Sequence, residues 1–112
     1  MKIDIKQNDN TSILKLQFKR LDSKVAPDLK SRIVILDTEE ERNLVIDLSS
    51  ITFADSSGLG SLLLAQRLFR DNGRKLVLAG TTERVRKLLD ISQLSDVFVL
   101  VKNTEDALKY LN

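Results

Sequence analysis

Ile3 and Ile5 alternate with Lys2, Asp4 and Lys6, and Leu14, Leu16 and Phe18 alternate with Lys15, Gln17 and Lys19. A period of two with charged partners predicts strands that bury one face and wet the other. Asn8-Asp9-Asn10 lies between the two segments and carries turn chemistry, so the chain is expected to open with a β-hairpin. Three later runs differ in kind: Leu44-Val45-Ile46, Leu76-Val77-Leu78-Ala79 and Val97-Phe98-Val99-Leu100-Val101. Unbroken apolar runs rich in β-branched residues predict strands covered on both faces.

Helical spacing fills the gaps. Leu29, Ile33 and Leu36 recur at that spacing after Pro27, a residue suited to a first helical turn. From Ser57 to Asn72, Leu59, Leu62, Leu63 and Phe69 form a wide apolar face, and Asn72-Gly73 ends it. Thr82 to Asp90 turns Val85, Leu88 and Leu89 inward, and Asn103 or Thr104 caps a last helix. Glu105 and Asp106 in its first turn suit the positive end of the helix dipole. The order β-β-α-β-α-β-α-β-α predicts an α/β fold: a mixed sheet of about five strands, parallel in its core, with about four helices packed against it. Residues 1–112 read as a single domain, with no linker, repeat or low-complexity tract.

Charge and composition narrow the chemistry. Eighteen Lys and Arg against sixteen Asp and Glu leave a net +2, and 42% of the 112 residues are apolar, a balance that suits a folded chain. Cys is absent, which removes disulfides, thiolate metal sites and cysteine nucleophiles. His is absent too, which removes the Ser-His-Asp triad, an imidazole base and histidine-ligated zinc. The pI near 9 invites a nucleic-acid reading, but the one dense basic run, Arg84-Val85-Arg86-Lys87, has no aromatic neighbour to stack on bases. No direct nucleic-acid partner is therefore expected. The longest apolar stretch, Leu62 to Ala65, is far below the ~20 residues that span a bilayer. The alternating start Met1-Lys2-Ile3-Asp4-Ile5 carries an acid, unlike a signal peptide, so a cytoplasmic location without membrane contact is expected.

One segment concentrates unusual letters: Ser49-Ser50-Ile51-Thr52-Phe53-Ala54-Asp55-Ser56-Ser57-Gly58-Leu59-Gly60. It follows a buried strand and opens the longest helix, the end of an α/β sheet where sites usually sit. Two glycines in the first turn of a helix cost about 1 kcal/mol each against alanine, so close approach by a partner or a tight strand–helix contact should offset them. Enzymatic motifs fail at this segment. A GxGxxG fingerprint would use Gly58 and Gly60 but meets Leu63 at its third position. GxxxxGK[ST] occurs nowhere. The near match to GxSxG in Ala54–Gly58 has no histidine to take the serine proton, and no SxxK lies near this turn. A weak serine hydrolase is all that survives of the enzyme class. The plain structural reading makes Asp55 or Ser56 a helix N-cap. That reading leaves the adjacent hydroxyls and glycines unexplained. A hydroxyl at a helix start, flanked by small residues, is open to another protein's active site, and a phosphate added there meets backbone amides and the positive dipole end. The segment reads as a modification target rather than a catalyst.

Phe53-Ala54-Asp55-Ser56-Ser57-Gly58-Leu59-Gly60 resembles the signature of bacterial anti-sigma factor antagonists of the STAS-domain family. The resemblance extends over nearly the whole chain. Leu21-Asp22-Ser23 with Ala26-Pro27-Asp28-Leu29 resembles the family's entry into its first helix, Leu44–Leu48 its strand before the signature, and Arg84–Leu89 its third helix. Lys19 departs from the pattern, since the family often has Gly there. The resemblance implies a STAS-like fold and a protein-interaction switch with no catalytic residue, cofactor or metal of its own. It implies that Ser56 is phosphorylated by an anti-sigma factor that is also a serine kinase, and that a serine phosphatase resets it. The unphosphorylated form would capture the anti-sigma factor and free the sigma factor. Asp22, Asp55, Ser57, Gly58, Leu59 and Gly60 would border the partner. The alternative that the resemblance leaves open is a STAS scaffold in a stress-signalling or lipid-trafficking complex.

Overall fold

Ile3–Gln7 (β1) and Thr11–Leu16 (β2) form the expected antiparallel hairpin, Ile3 opposite Leu16 and Gln7 opposite Ser12, in a computed structural model that describes residues 2–39 and 41–112. Met1, the first letter of the alternating start, lies outside the described residues. Alternation continues in sequence to Phe18, but the strand register ends at Leu16, the Gln17 amide donates a last bond to the Lys2 carbonyl at 2.8 Å, and the chain then bends away. Arg20–Leu21 (β3) follows, then α1 (Ala26–Glu39), with Pro27 in its first turn, where a missing amide is harmless.

Next come Asn43–Asp47 (β4), Phe53–Ala54 (β5), α2 (Ser56–Asp71), Leu76–Ala79 (β6), α3 (Glu83–Ile91), Val99–Val101 (β7) and α4 (Thr104–Leu111). The main sheet has the order β1-β2-β4-β6-β7, antiparallel only between β1 and β2. Helical crossovers between β4, β6 and β7 impose the parallel direction. The mixed α/β sheet with four helices matches the pattern expected from sequence.

Side chains of the central strands alternate between two unequal cores. Leu44, Ile46, Leu76 and Leu78 join Leu29, Ile33, Leu62, Phe69, Val85 and Leu89 under α1, α2 and α3. Val45, Val77 and Ala79 face the other way, onto Ala107 of α4. The continuous apolar runs in β4 and β6 thus reflect cover on both faces. β7 departs from that expectation. It is a half-buried edge strand of three residues, while Val97 sits exposed in the preceding turn and only Phe98 is buried. An edge strand lacks a neighbour on one side, so its apolar run does not mean burial on both faces.

The end of the sheet away from the glycine-rich segment is locked by Arg74. Its guanidinium donates to the carboxylate and carbonyl of Asp37 and to the carbonyl of Arg42, and lies 4.7 Å from the centroid of the Phe69 ring. Asn72 Nδ2 donates to the same carboxylate at 2.8 Å. The Asp37 side chain is only 8% exposed, so it depends on these donors. Arg74→Met keeps the apolar stem over Phe69 but orphans the acid. We expect a loss of about 2 kcal/mol in unfolding free energy, below the full cost of a buried unpaired charge because Asn72 remains. Urea unfolding of the two proteins measures it, and a loss under about 0.5 kcal/mol would show the lock to be ornamental.

Candidate functional site

Asp55 is the N-cap of α2. Its backbone is extended (φ −110°, ψ −173°), and its Oδ1 accepts from the Gly58 amide at 3.0 Å. Its carbonyl takes the next amide, that of Leu59, at 3.0 Å. The second carboxylate oxygen reaches outside the helix: the Ser23 amide donates to Oδ2 at 3.3 Å. Asp55 thereby ties the turn after β3 to the start of α2. It is both a cap and a clasp.

The loop brought across carries Asp22. Asp22 Oδ1 accepts from the Lys24 amide at 3.0 Å, and Arg20 Nε lies 3.4 Å from Oδ2. Its carbonyl accepts from Val25 and Ala26, which turns the chain into α1. A two-stranded parallel ribbon holds the loop in place, with Arg20 opposite Phe53 and Leu21 opposite Ala54. The Arg20 guanidinium also stacks 3.9 Å from the centroid of the Phe53 ring. Neither β3 nor β5 is visible as periodicity, because two residues cannot display a period of two. Lys19 raises no difficulty here. Among the described non-glycine residues only Gln93 has positive φ, and the Lys19 carbonyl accepts from Thr52 and Phe53.

The two glycines separate. An ideal Cβ at Gly58 would stand 2.0 Å from the Leu21 carbonyl oxygen and 2.8 Å from the Leu21 carbonyl carbon and Cγ. The tight strand–helix contact is therefore internal: the first turn of α2 sits directly on β3. Gly58 and Leu59, expected at a partner surface, are buried, Leu59 to 7% exposure. At Gly58 the Leu21 backbone occupies the space that an added side chain would need. At Gly60 a Cβ would meet nothing within 4 Å.

The remaining positions gather at one end of the sheet. Ser56, the first residue of α2, is exposed; Ser57, Gly60, Asp22 and Asp55 are partly exposed. The Ser57 carbonyl accepts from Ser61 Oγ at 3.3 Å, within the helix. Asp55 already occupies the amides of Gly58 and Leu59, so the uncommitted amides of this turn are those of Ser56 and Ser57. The site has an exposed hydroxyl, two uncommitted amides and a dipole end. Sequence reasoning missed Arg20, Leu21 and Ser23 as its supports. The unfavourable glycine at 58 was the one available signal that backbone approaches closely there.

Comparison with known proteins follows the same lines. The STAS domain family matches residues 2–108. The anti-sigma-B factor antagonist of Listeria monocytogenes serovar 1/2a is 33% identical over 103 residues, covering 92% of this chain and 90% of its own. The anti-sigma factor antagonist SpoIIAA in its unphosphorylated form superposes with a TM-score of 0.76 at 17% identity, covering 97% and 96% of the two chains. The phosphorylated form of the Bacillus protein SpoIIAA gives 0.77 at 18% identity, covering 99% and 100%.

Proposed function

The chain belongs to the STAS-domain family of anti-sigma factor antagonists, and on that premise we propose that it captures an anti-sigma factor while Ser56 is free and lets go when Ser56 carries phosphate. The family consists of regulatory binding proteins, not enzymes. The observation that carries the switch is the contrast between two neighbouring hydroxyls. Ser56 is exposed at the first position of α2, directly after the Asp55 cap, whereas Ser57 is half-buried. A kinase must reach the hydroxyl and surround it, which favours Ser56 as the acceptor.

In this reading the anti-sigma factor is also the serine kinase and supplies ATP, and a serine phosphatase removes the phosphate. The chain needs no cofactor. Its partner surface is the exposed part of the turn: Asp22, Asp55, Ser57 and Gly60 around Ser56. The exchange takes place in the cytoplasm, and among the described residues no helix is long and apolar enough to cross a membrane.

Incubation with an anti-sigma factor kinase and ATP, followed by mass mapping, tests the acceptor. We expect one phosphate, on Ser56, and none on the Ser56→Ala protein. Phosphate on Ser57, or undiminished labelling of Ser56→Ala, would overturn the assignment.

A further inference from the structure

Gly60 has no structural reason to be glycine. Its φ is not positive, a Cβ would enter open space, and it lies in a helix interior where alanine is the better residue. Gly58, two residues earlier, is fully accounted for by the Leu21 backbone. What Gly60 does is leave a notch on the surface of α2, one turn along from Ser56.

The notch continues as a groove of about 380 Å³ lined by Lys30, Gly60, Leu63, Leu64, Gln66, Arg67, Arg70 and Val97. Ser56, Gly60, Leu63 and Arg67 recur at helical spacing, so they share a stripe of α2. The floor is apolar, from the half-buried Leu63 and Leu64 and the exposed Val97. The rim is cationic. Lys30 and Arg67 make no ion pair among the described residues, and Arg70 pairs only with its exposed neighbour Asp71 at 3.5 Å.

Resting on the antagonist reading, we propose that this groove is the seat of an acidic amphipathic helix of the anti-sigma factor, which crosses α2 at Gly60. The distance between packed helices is set by the side chains at their crossing, and a glycine there permits the closest approach. Gly60 to Arg70 covers about 15 Å of helix axis, enough for two to three turns of a partner helix. Apolar residues of that helix would cover Leu63 and Leu64, and flanking Asp or Glu would meet Lys30, Arg67 and Arg70. The apolar floor between the cations favours such a helix over a purely polyanionic ligand.

The test uses the full chain and the anti-sigma-B factor of Listeria monocytogenes, the target specified by the name of the 33% identical relative. Gly60→Ala should raise the melting temperature by about 3–5 °C, the shift expected of a helix-interior glycine replaced in a domain of this size. The same substitution should weaken binding at least tenfold, and Gly60→Gln, which keeps helix propensity but adds bulk, more strongly still. Arg67→Glu should weaken binding about tenfold and flatten its dependence on salt. If Gly60→Ala, Gly60→Gln and Arg67→Glu all bind like the parent while Ser56→Asp does not, the groove is overturned and the antagonist reading stands. If the parent itself fails to bind, both fall. A dimer of this chain that Arg67→Glu dissociates would make a second copy the occupant and overturn the proposal.

Discussion

Gly58→Ala is expected to lower the unfolding free energy by about 4 kcal/mol, and Gly58→Val to leave little folded protein, since domains of this kind are stable by only about 5–15 kcal/mol. The added carbon would fall 2.0 Å from the Leu21 carbonyl oxygen, and backbone cannot swing aside as a side-chain tip can. Overpacking a core by a methyl group costs about 1–3 kcal/mol where side chains can adjust. Here the first turn of α2 must lift off β3 instead. Lifting it breaks the bond from the Asp55 amide to the Leu21 carbonyl and pulls the Asp55 carboxylate away from the Ser23 amide. Each such bond is worth about 1 kcal/mol net. Urea unfolding of Gly58→Ala beside Gly60→Ala makes the comparison sharp, because the two differ only in what the methyl group meets. A loss under about 1 kcal/mol at position 58 would mean that the close contact can relax, and that Gly58 is kept for some other reason.

Ser56→Asp is expected to weaken capture of the anti-sigma factor by at least tenfold, and stoichiometric phosphorylation by about a hundredfold, both without loss of the folded state. The phosphate brings about −1.5 to −2 charges at pH 7. In the free protein that charge is tolerable. The Ser56 and Ser57 amides are uncommitted, the dipole of α2 favours an anion at its start, and water reaches the exposed turn. Asp55 opposes it, but the Gly58 and Ser23 amides hold that carboxylate in place. In the complex the partner must pack on the same turn and exclude water. An unmatched charge buried there costs several kcal/mol, and each 1.4 kcal/mol is a factor of ten, so about 3 kcal/mol accounts for the hundredfold change. Thermal melting and affinity measured side by side separate the outcomes. Equal affinity for the phosphorylated and free forms would sink the electrostatic switch, and a collapsed melting transition would replace it with unfolding.

The hairpin, the central strands and the four helices were legible because each shows its period within its own stretch of chain. The caps were legible for the same reason: Asn103 accepts from the Asp106 amide three residues on, and Asp55 from Gly58. β7 was misjudged in extent, since an apolar run reports affinity for a core but not whether a neighbouring strand exists to cover it. Gly58 marks the limit of what a local pattern records. A glycine in sequence signals that something comes close, without saying whether it is a partner or the chain itself.

By itself, the sequence determined the α/β order of elements, the absence of histidine and cysteine chemistry, and the placement of Asp55-Ser56-Ser57 at the start of the longest helix. Those properties depend on residue identity and on spacings of a few positions. Only the tertiary structure decided that Ser23 bonds to Asp55 across 32 positions, that Arg74 reaches Asp37 across 37, and that Leu21 fills the space over Gly58 while nothing fills the space over Gly60. Such pairings follow from how the two cores stack the helices on the sheet. Many distant residues set that stacking jointly, so no local pattern in the chain records it.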